Sequence, residues 1–292
     1  MFRHSVLKLL CLAPLAMLGS SAHAIAILYG VTGNAGIRFG EPGETLYTLS
    51  QTDASATFVL TLGAGDDGEA IGFNPVDGLL YHASGLRNQC SGDDRGVCFE
   101  SINSTFTGTT NIDISTGALI DKETQALTWD VARGEFLWRQ NQADEGSLFS
   151  VTSTGVETLI GQMDHNAKGL AFVGNELFSV SAFDGMLRTI DSSTAATISE
   201  VAINFPGTAV DGATGLATHP DTGELWALLK LDSVFRELVT IDPATGIATS
   251  IGITNQRGFA GLAFIPVTVP EPGTLVLLGI GLLGVCWPRR MS

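Results

Sequence analysis

Acidic residues and one histidine stand just before several apolar segments, where their side chains could bind a cation. Asp66, Asp67 and Glu69 lie in GDDGE, His165 lies in DHN, and Asp211 lies in VDGAT. The carboxylates could hold Ca²⁺, which takes about six to eight oxygen ligands. His165 with Asp66 and Asp211 could instead bind the divalent metal of a lactonase-like hydrolase. Aspartate and glycine are also ordinary turn residues, so a set of solvated turns is the alternative.

Nucleophilic and phosphate-binding motifs do not accompany these residues. The sequence contains no G-x-S-x-G, no legible Ser-His-Asp arrangement and no glycine-rich run that leads into a helix. We therefore assign no catalytic residue and no cofactor other than the divalent metal considered above. The sequence favours a non-catalytic binding or structural protein, with a secreted metal-dependent hydrolase as the alternative.

Five related segments run through the chain and must position these residues. Each contains an apolar strand led by a small residue, turns at a polar or glycine position, and continues toward a second strand. Their anchor residues lie 56, 43, 46 and 46 positions apart. The segments are Glu69–Ser84, Gln125–Gln140, Lys168–Ala182, Thr214–Leu229 and Ala260–Pro266, with anchors Ile71, Leu127, Leu170, Leu216 and Leu262.

A threonine-rich pair of strands recurs between these hairpins, as in MLRTIDSSTAATISEVA and ELVTIDPATGIATSIG. Four short alternating strands per repeat of this length predict an all-β fold, a β-propeller of five blades. A degenerate sixth blade at 88–120 and a β-sandwich are the alternatives. The fifth segment stops after GLAFIP, and AIAILYGVTG near the N-terminus supplies a missing strand. We expect these terminal strands to pair and close the ring.

The loops that precede the first strands of the five blades should converge on one mouth of the central channel. Five residues before each anchor stand Asp66, Lys122, His165, Asp211 and Arg257. This ring is the best candidate site from fold logic.

His219 aligns with Asn74 and Asp130 just before a turn, so we interpret it as structural. Trp129, Trp138 and Trp226 occupy similar strand positions and either pack between blades or form a platform for polysaccharide.

Both ends of the chain have the composition of processing segments. Residues 1–24 carry Arg3 and Lys8, an apolar run and a terminal Ala22-His23-Ala24, the pattern of a secretory signal peptide that signal peptidase removes. The propeller is expected over residues 25–267. Residues 268–292 contain Pro270-Glu271-Pro272, a short apolar stretch and then Arg289 and Arg290.

The order of that last segment resembles the PEP-CTERM sorting signal of Gram-negative bacteria. The resemblance implies cleavage near the PEP step by an exosortase and a short transmembrane helix that anchors the chain to the inner membrane before processing. It also implies release to the periplasm, cell surface or extracellular matrix, where polysaccharide or matrix proteins are the expected partners, and an association with exopolysaccharide and biofilm.

Charge and cysteine content agree with an exported protein. The formal net charge is −15. Without the four basic residues of the two ends, 11 basic and 30 acidic residues remain, a net charge of −19, so nucleic acid is not an expected partner. Cys90 and Cys98 flank a polar, glycine-rich loop, and in an oxidising compartment they favour a local disulfide. A zinc site there would need two further ligands, and none are near in the sequence.

Overall fold

The computed structural model describes residues 25–33, 40, 43–63, 70–85, 98–114, 123–142, 145–231 and 234–267. All of them belong to one compact unit, Ile25–Val267. Their regular structure consists of twenty β-strands. Within these ranges, no helix has the length and apolarity to cross a bilayer. The signal peptide and the sorting segment lie outside the described residues.

The apolar segments and the threonine-rich segments of the repeats form short strands. The first three strands are β1 (Ile25–Thr32), β2 (Thr45–Leu49) and β3 (Ala56–Thr61). Next come β4 (Ala70–Asn74), β5 (Leu79–Ser84), β6 (Cys98–Ile102) and β7 (Thr109–Asn111), then β8 (Glu123–Asp130), β9 (Glu135–Gln142), β10 (Glu145–Val151) and β11 (Glu157–Gln162). The remaining strands are β12 (Ala167–Val173), β13 (Glu176–Ser181), β14 (Met186–Ile190), β15 (Thr197–Ala202), β16 (Gly212–Thr218), β17 (Leu225–Lys230), β18 (Phe235–Ile241), β19 (Ala248–Arg257) and β20 (Phe259–Val267).

The strands form five antiparallel sheets of four strands each, the blades of a β-propeller. The prediction of five blades is confirmed, and the sixth-blade alternative is wrong. The region that might have held an extra blade instead supplies β6 and β7, the two outer strands of the second blade. The insertion with the cysteines therefore lengthens one connection, between β5 and β6.

The ring closes through its terminal strands, as expected. β20 is the innermost strand of the first blade, and β1 pairs with it antiparallel from Ile25↔Val267 to Thr32↔Phe259. The other edge of β1 pairs with β2, from Leu28↔Leu49 to Thr32↔Thr45. One blade thus combines both ends of the domain, and β1 has a hydrogen-bonded neighbour on each side.

Five apolar clusters stabilise the domain, one between each pair of adjacent blades. Between the second and third blades, for example, Phe99 packs edge-on against Trp138 with ring centroids 5.3 Å apart. Both faces of a blade are therefore buried, which explains why the inner strands are almost continuously apolar. Each fully buried large apolar side chain contributes roughly 1.5–3 kcal/mol.

Small residues line the channel where the innermost strands approach most closely. They stand one position before each anchor: Ala70, Ala126, Gly169, Gly215 and Gly261. A Cβ atom on Gly169 would lie 2.8 Å from the backbone nitrogen of Leu216. The remaining gap measures about 10 Å³, near the lower limit for one water molecule. The two mouths of the channel are thus not joined by a passage of ligand size.

Candidate functional site

The innermost strands all begin at one face of the propeller, the start face, and end at the other, the end face. Of the predicted ring, three residues are described at the start face. His165 and Asp211 lie just before β12 and β16, and Arg257 is the last residue of β19, before β20. Lys122 and the three carboxylates Asp66, Asp67 and Glu69 lie outside the described residues. The metal site that uses those carboxylates therefore stays a prediction.

His165 is held by hydrogen bonds on both sides of its ring. Its side chain is 5 % exposed, and Nδ1 donates to Asp164 Oδ1 at 2.9 Å. Nε2 accepts from Ser179 Oγ at 2.7 Å. Burial lowers the pKa of His165, which keeps the imidazole neutral. This Asp-His-Ser chain is not a nucleophilic triad open to substrate, because Ser179 is 0 % exposed. It fastens the loop before β12 to β13.

The other two described members of the ring lie apart from this arrangement. Asp211 is exposed. The guanidinium carbon of Arg257 lies 5.2 Å from the ring centroid of Phe235. Among the residues that the structure describes, no three His, Cys, Asp or Glu side chains are grouped so as to hold a metal ion.

A buried polar cluster that the sequence analysis missed joins the first two blades. His82 on β5 donates from Nδ1 to Glu100 Oε1 at 2.9 Å, and its Nε2 lies 3.4 Å from Glu44 Oε2. Ser84 donates to the same Glu44 carboxylate at 3.2 Å. Burial opposes ionisation of Glu100, but hydrogen bonding and charge from His82 outweigh it and lower the pKa of that carboxyl. The signal in the sequence was an ionisable residue within each of two neighbouring strands, His82 on β5 and Glu100 on β6, at positions where an apolar side chain is expected.

His219 has the structural role predicted for it. Its Nδ1 accepts the backbone N–H groups of Asp221 and Thr222, both at 3.3 Å. Asn74 and Asp130 accept backbone N–H groups in the matching turns of their blades.

Cys98 is buried at the start of β6, while Cys90 lies outside the described residues, so their disulfide stays a prediction.

The end face carries an open cavity of about 310 Å³ in the mouth of the channel. Four of the five blades place an aromatic side chain there, two residues after the anchor. We call this cavity the aromatic cup. These positions are Phe73, Trp129, Phe172, Thr218 and Phe264, and the rim adds Pro75, Val131, Gly174, Pro220 and Pro266. Trp138 and Trp226 are buried between blades, so only Trp129 of the three strand tryptophans contacts the cup.

Acidic side chains are exposed on the turns of the same face as the cup. The turns of the end face, all of them described, and the adjoining start of β13 expose Asp53, Asp77, Glu176, Asp221, Glu224 and Asp242. Arg133 is the exposed basic residue of these turns. Its Nε lies 3.2 Å from Asp130 Oδ2, so its charge is locally compensated. The candidate ring predicted from the sequence lies at the opposite mouth and stays a prediction. The recurrence of an aromatic residue two positions after the anchor is the signal that could have located the cup.

Comparison with known proteins identifies the C-terminal segment and the fold. Residues 268–290 match the PEP-CTERM protein-sorting motif. The search of curated proteins found no match. The motif implies export, transient membrane anchoring in a Gram-negative bacterium and processing by an exosortase.

Solved structures share the fold at low sequence identity. A chain of the nidogen/laminin complex is 12 % identical with a TM-score of 0.50, over 84 % of this chain and 100 % of that one. A Bacteroides caccae protein of unknown function is 11 % identical with a TM-score of 0.51, over 83 % and 99 %. The Pseudomonas aeruginosa periplasmic gluconolactonase PpgL is 13 % identical with a TM-score of 0.45, over 78 % and 82 %. These likenesses concern the fold alone.

Proposed function

We propose that this chain is a non-catalytic binding protein of the cell surface or extracellular matrix, and that it holds polysaccharide in the aromatic cup. Signal peptidase removes residues 1–24, and exosortase releases the domain from its C-terminal anchor. A disulfide between Cys90 and Cys98 stabilises the long connection of the second blade in the oxidising compartment.

The recurrence of aromatic side chains around one mouth is the observation that carries this proposal. Phe73, Trp129, Phe172 and Phe264 come from four blades and meet in one cavity. Aromatic faces offer the apolar C–H surface of a sugar ring a large contact area at low entropic cost. Because the cup is open to solvent, the sugar hydroxyls can remain hydrated, which avoids the cost of burying them unpaired.

Binding is favoured over metal-dependent hydrolysis by the arrangement at the start face. Both ring nitrogens of His165 already have hydrogen-bond partners. Asp211, one of the two carboxylates that accompany His165 in the hydrolase interpretation, is exposed on a different connection. A hydrolytic site would need both side chains to turn toward one ion.

Retention of the purified protein on exopolysaccharide from its own host tests the proposal. We expect saturable retention that Trp129→Ala weakens by about tenfold or more, equivalent to about 1.4 kcal/mol. Phe183→Ala is the matched control, because Phe183 is 69 % exposed on the turn after β13, at the start face. Equal retention of both variants, or no saturable retention at all, would refute the proposed site.

A further inference from the structure

We infer that the aromatic cup recognises cationic sugar units, the free amines of a deacetylated hexosamine polymer, in preference to neutral or anionic sugars. The inference rests on the proposed function, since it specifies the ligand class of the same site. It follows from the charge around the cup, together with the absence of charge within it.

The surroundings of the cup attract cations. Glu176 follows the rim residue Gly174 by two positions, and Asp221 directly follows the rim residue Pro220. Asp77 and Glu224 are exposed on the turns that follow the inner strands β4 and β16, while Asp53 and Asp242 are exposed farther out, on the turns between β2 and β3 and between β18 and β19. A mouth lined by one sign of charge over low-dielectric walls concentrates ligands of the opposite sign.

None of the described residues that line the cup carries a charge. Thr128 and Thr218 are the polar residues among its lining, and the rest are aliphatic, aromatic, glycine or proline. A cation in the cup therefore meets aromatic rings, which attract it through their quadrupoles when it lies within about 6 Å of a ring centroid. Its charge is balanced by the surrounding carboxylates across the rim rather than by a buried ion pair.

These features give an order of preference among sugars. A protonated glucosamine unit gains ring contact and electrostatic attraction. A neutral N-acetylglucosamine unit gains ring contact alone. A uronate unit meets the same rings against repulsion from the acidic turns, which disfavours it. The attraction should weaken as salt rises, because exposed charges are screened over roughly 10 Å at 0.1 M ionic strength.

Calorimetric titration of the purified protein with two matched oligosaccharides tests the inference. The probes are the glucosamine tetramer, kept protonated by a mildly acidic buffer, and the N-acetylglucosamine tetramer, which has the same backbone without charge. We expect the cationic tetramer to bind about tenfold tighter, and this advantage to shrink as salt is added. Equal affinities, or an advantage that salt does not alter, would overturn the inference while the proposed function stands.

Two sets of variants separate the charge from the rings. Asp221→Asn combined with Glu176→Gln should remove most of the preference for the cationic tetramer and leave binding of the acetylated one unchanged. The matched control Glu200→Gln, an exposed acid on the outer strand β15, should leave both affinities unchanged. Trp129→Ala should weaken both tetramers. Binding of neither tetramer to the wild type, or binding of both that Trp129→Ala does not affect, would overturn the proposed function together with the inference.

Discussion

At the scale of residues, the described histidines act through hydrogen bonds that fix loops and blades. His82 lies between Glu44 and Glu100 at the junction of the first two blades. His165 ties a connection to β13, and His219 accepts the backbone of its own turn. The prediction that His219 is structural succeeded because Asn, Asp and His side chains can all accept backbone N–H groups in a turn. The cluster around His82 escaped prediction because Glu44 belongs to the first blade and meets His82 and Glu100 of the second blade only in the folded ring.

Removal of the His82 imidazole should destabilise the domain strongly. In His82→Ala the carboxylates of Glu44 and Glu100 lose the group that lies between them, and removing one partner of a buried charged cluster costs about 3–5 kcal/mol. The free energy of unfolding from urea denaturation measures this effect. His219→Asn is the matched control and should change stability by no more than about 0.5 kcal/mol. Similar losses in the two variants would show that the buried cluster contributes little.

His165 should make the domain less stable in mild acid. Burial lowers its pKa below 6.5, so the unfolded chain binds a proton at pH values where the folded chain does not. This contribution to stability is complete above pH 6.5 and is lost as the pH falls toward the folded pKa. Denaturant titrations over that range should give a smaller pH dependence for His165→Gln than for the wild type. An unchanged slope would mean that another group controls the acid response.

At the scale of elements, the small residues before each anchor let the innermost strands approach closely. Gly169 faces the backbone of Leu216 and Gly215 on the neighbouring inner strand. The repeat alignment located all five inner strands because the small residue, the apolar anchor and the turn recur together. It could not define β6, since the polar sequence that precedes this strand does not alternate and carries no strand signal.

Gly169→Ala should shift the neighbouring inner strand and destabilise the fold. The new Cβ would lie 2.8 Å from Leu216 N and 2.9 Å from Gly215 C, and these backbone atoms cannot move independently of their strand. Overpacking of this kind costs about 1–3 kcal/mol. Thermal and urea unfolding should be compared with those of Gly108→Ala, where the nearest atom, Asn103 Nδ2, lies 3.6 Å away. If the two variants lose the same stability, the inner strands are not in tight contact at Gly169.

At the scale of the whole molecule, the ring and its closure could be predicted from the sequence, while the aromatic cup could not. The truncated fifth repeat and the spare N-terminal strand complement each other, and the pairing of β1 with β20 confirms that inference. The sequence favoured the start face because turn residues such as Asp and Gly resemble a polar site, and that site stays a prediction. Only the folded ring brings Phe73, Trp129 and Phe264 from distant repeats into one cavity.

The processed protein should lack both ends of the chain. Intact-mass measurement of material from a host with its exosortase should give a product that begins at Ile25 and ends near the PEP step, within the matched segment 268–290. Pro270→Ala combined with Pro272→Ala should leave the C-terminal segment attached, while N-terminal processing continues. A wild-type mass that retains either end would contradict the corresponding cleavage.

The position of a bound sugar tests the central claim most directly. A crystal structure of the domain with the glucosamine tetramer should show a sugar ring in the aromatic cup, in contact with Trp129 and at least one of Phe73, Phe172 and Phe264. The acidic turns that carry Glu176 and Asp221 should flank its amine groups. Sugar bound at the start face beside His165 and Asp211, with the cup empty, would contradict the account.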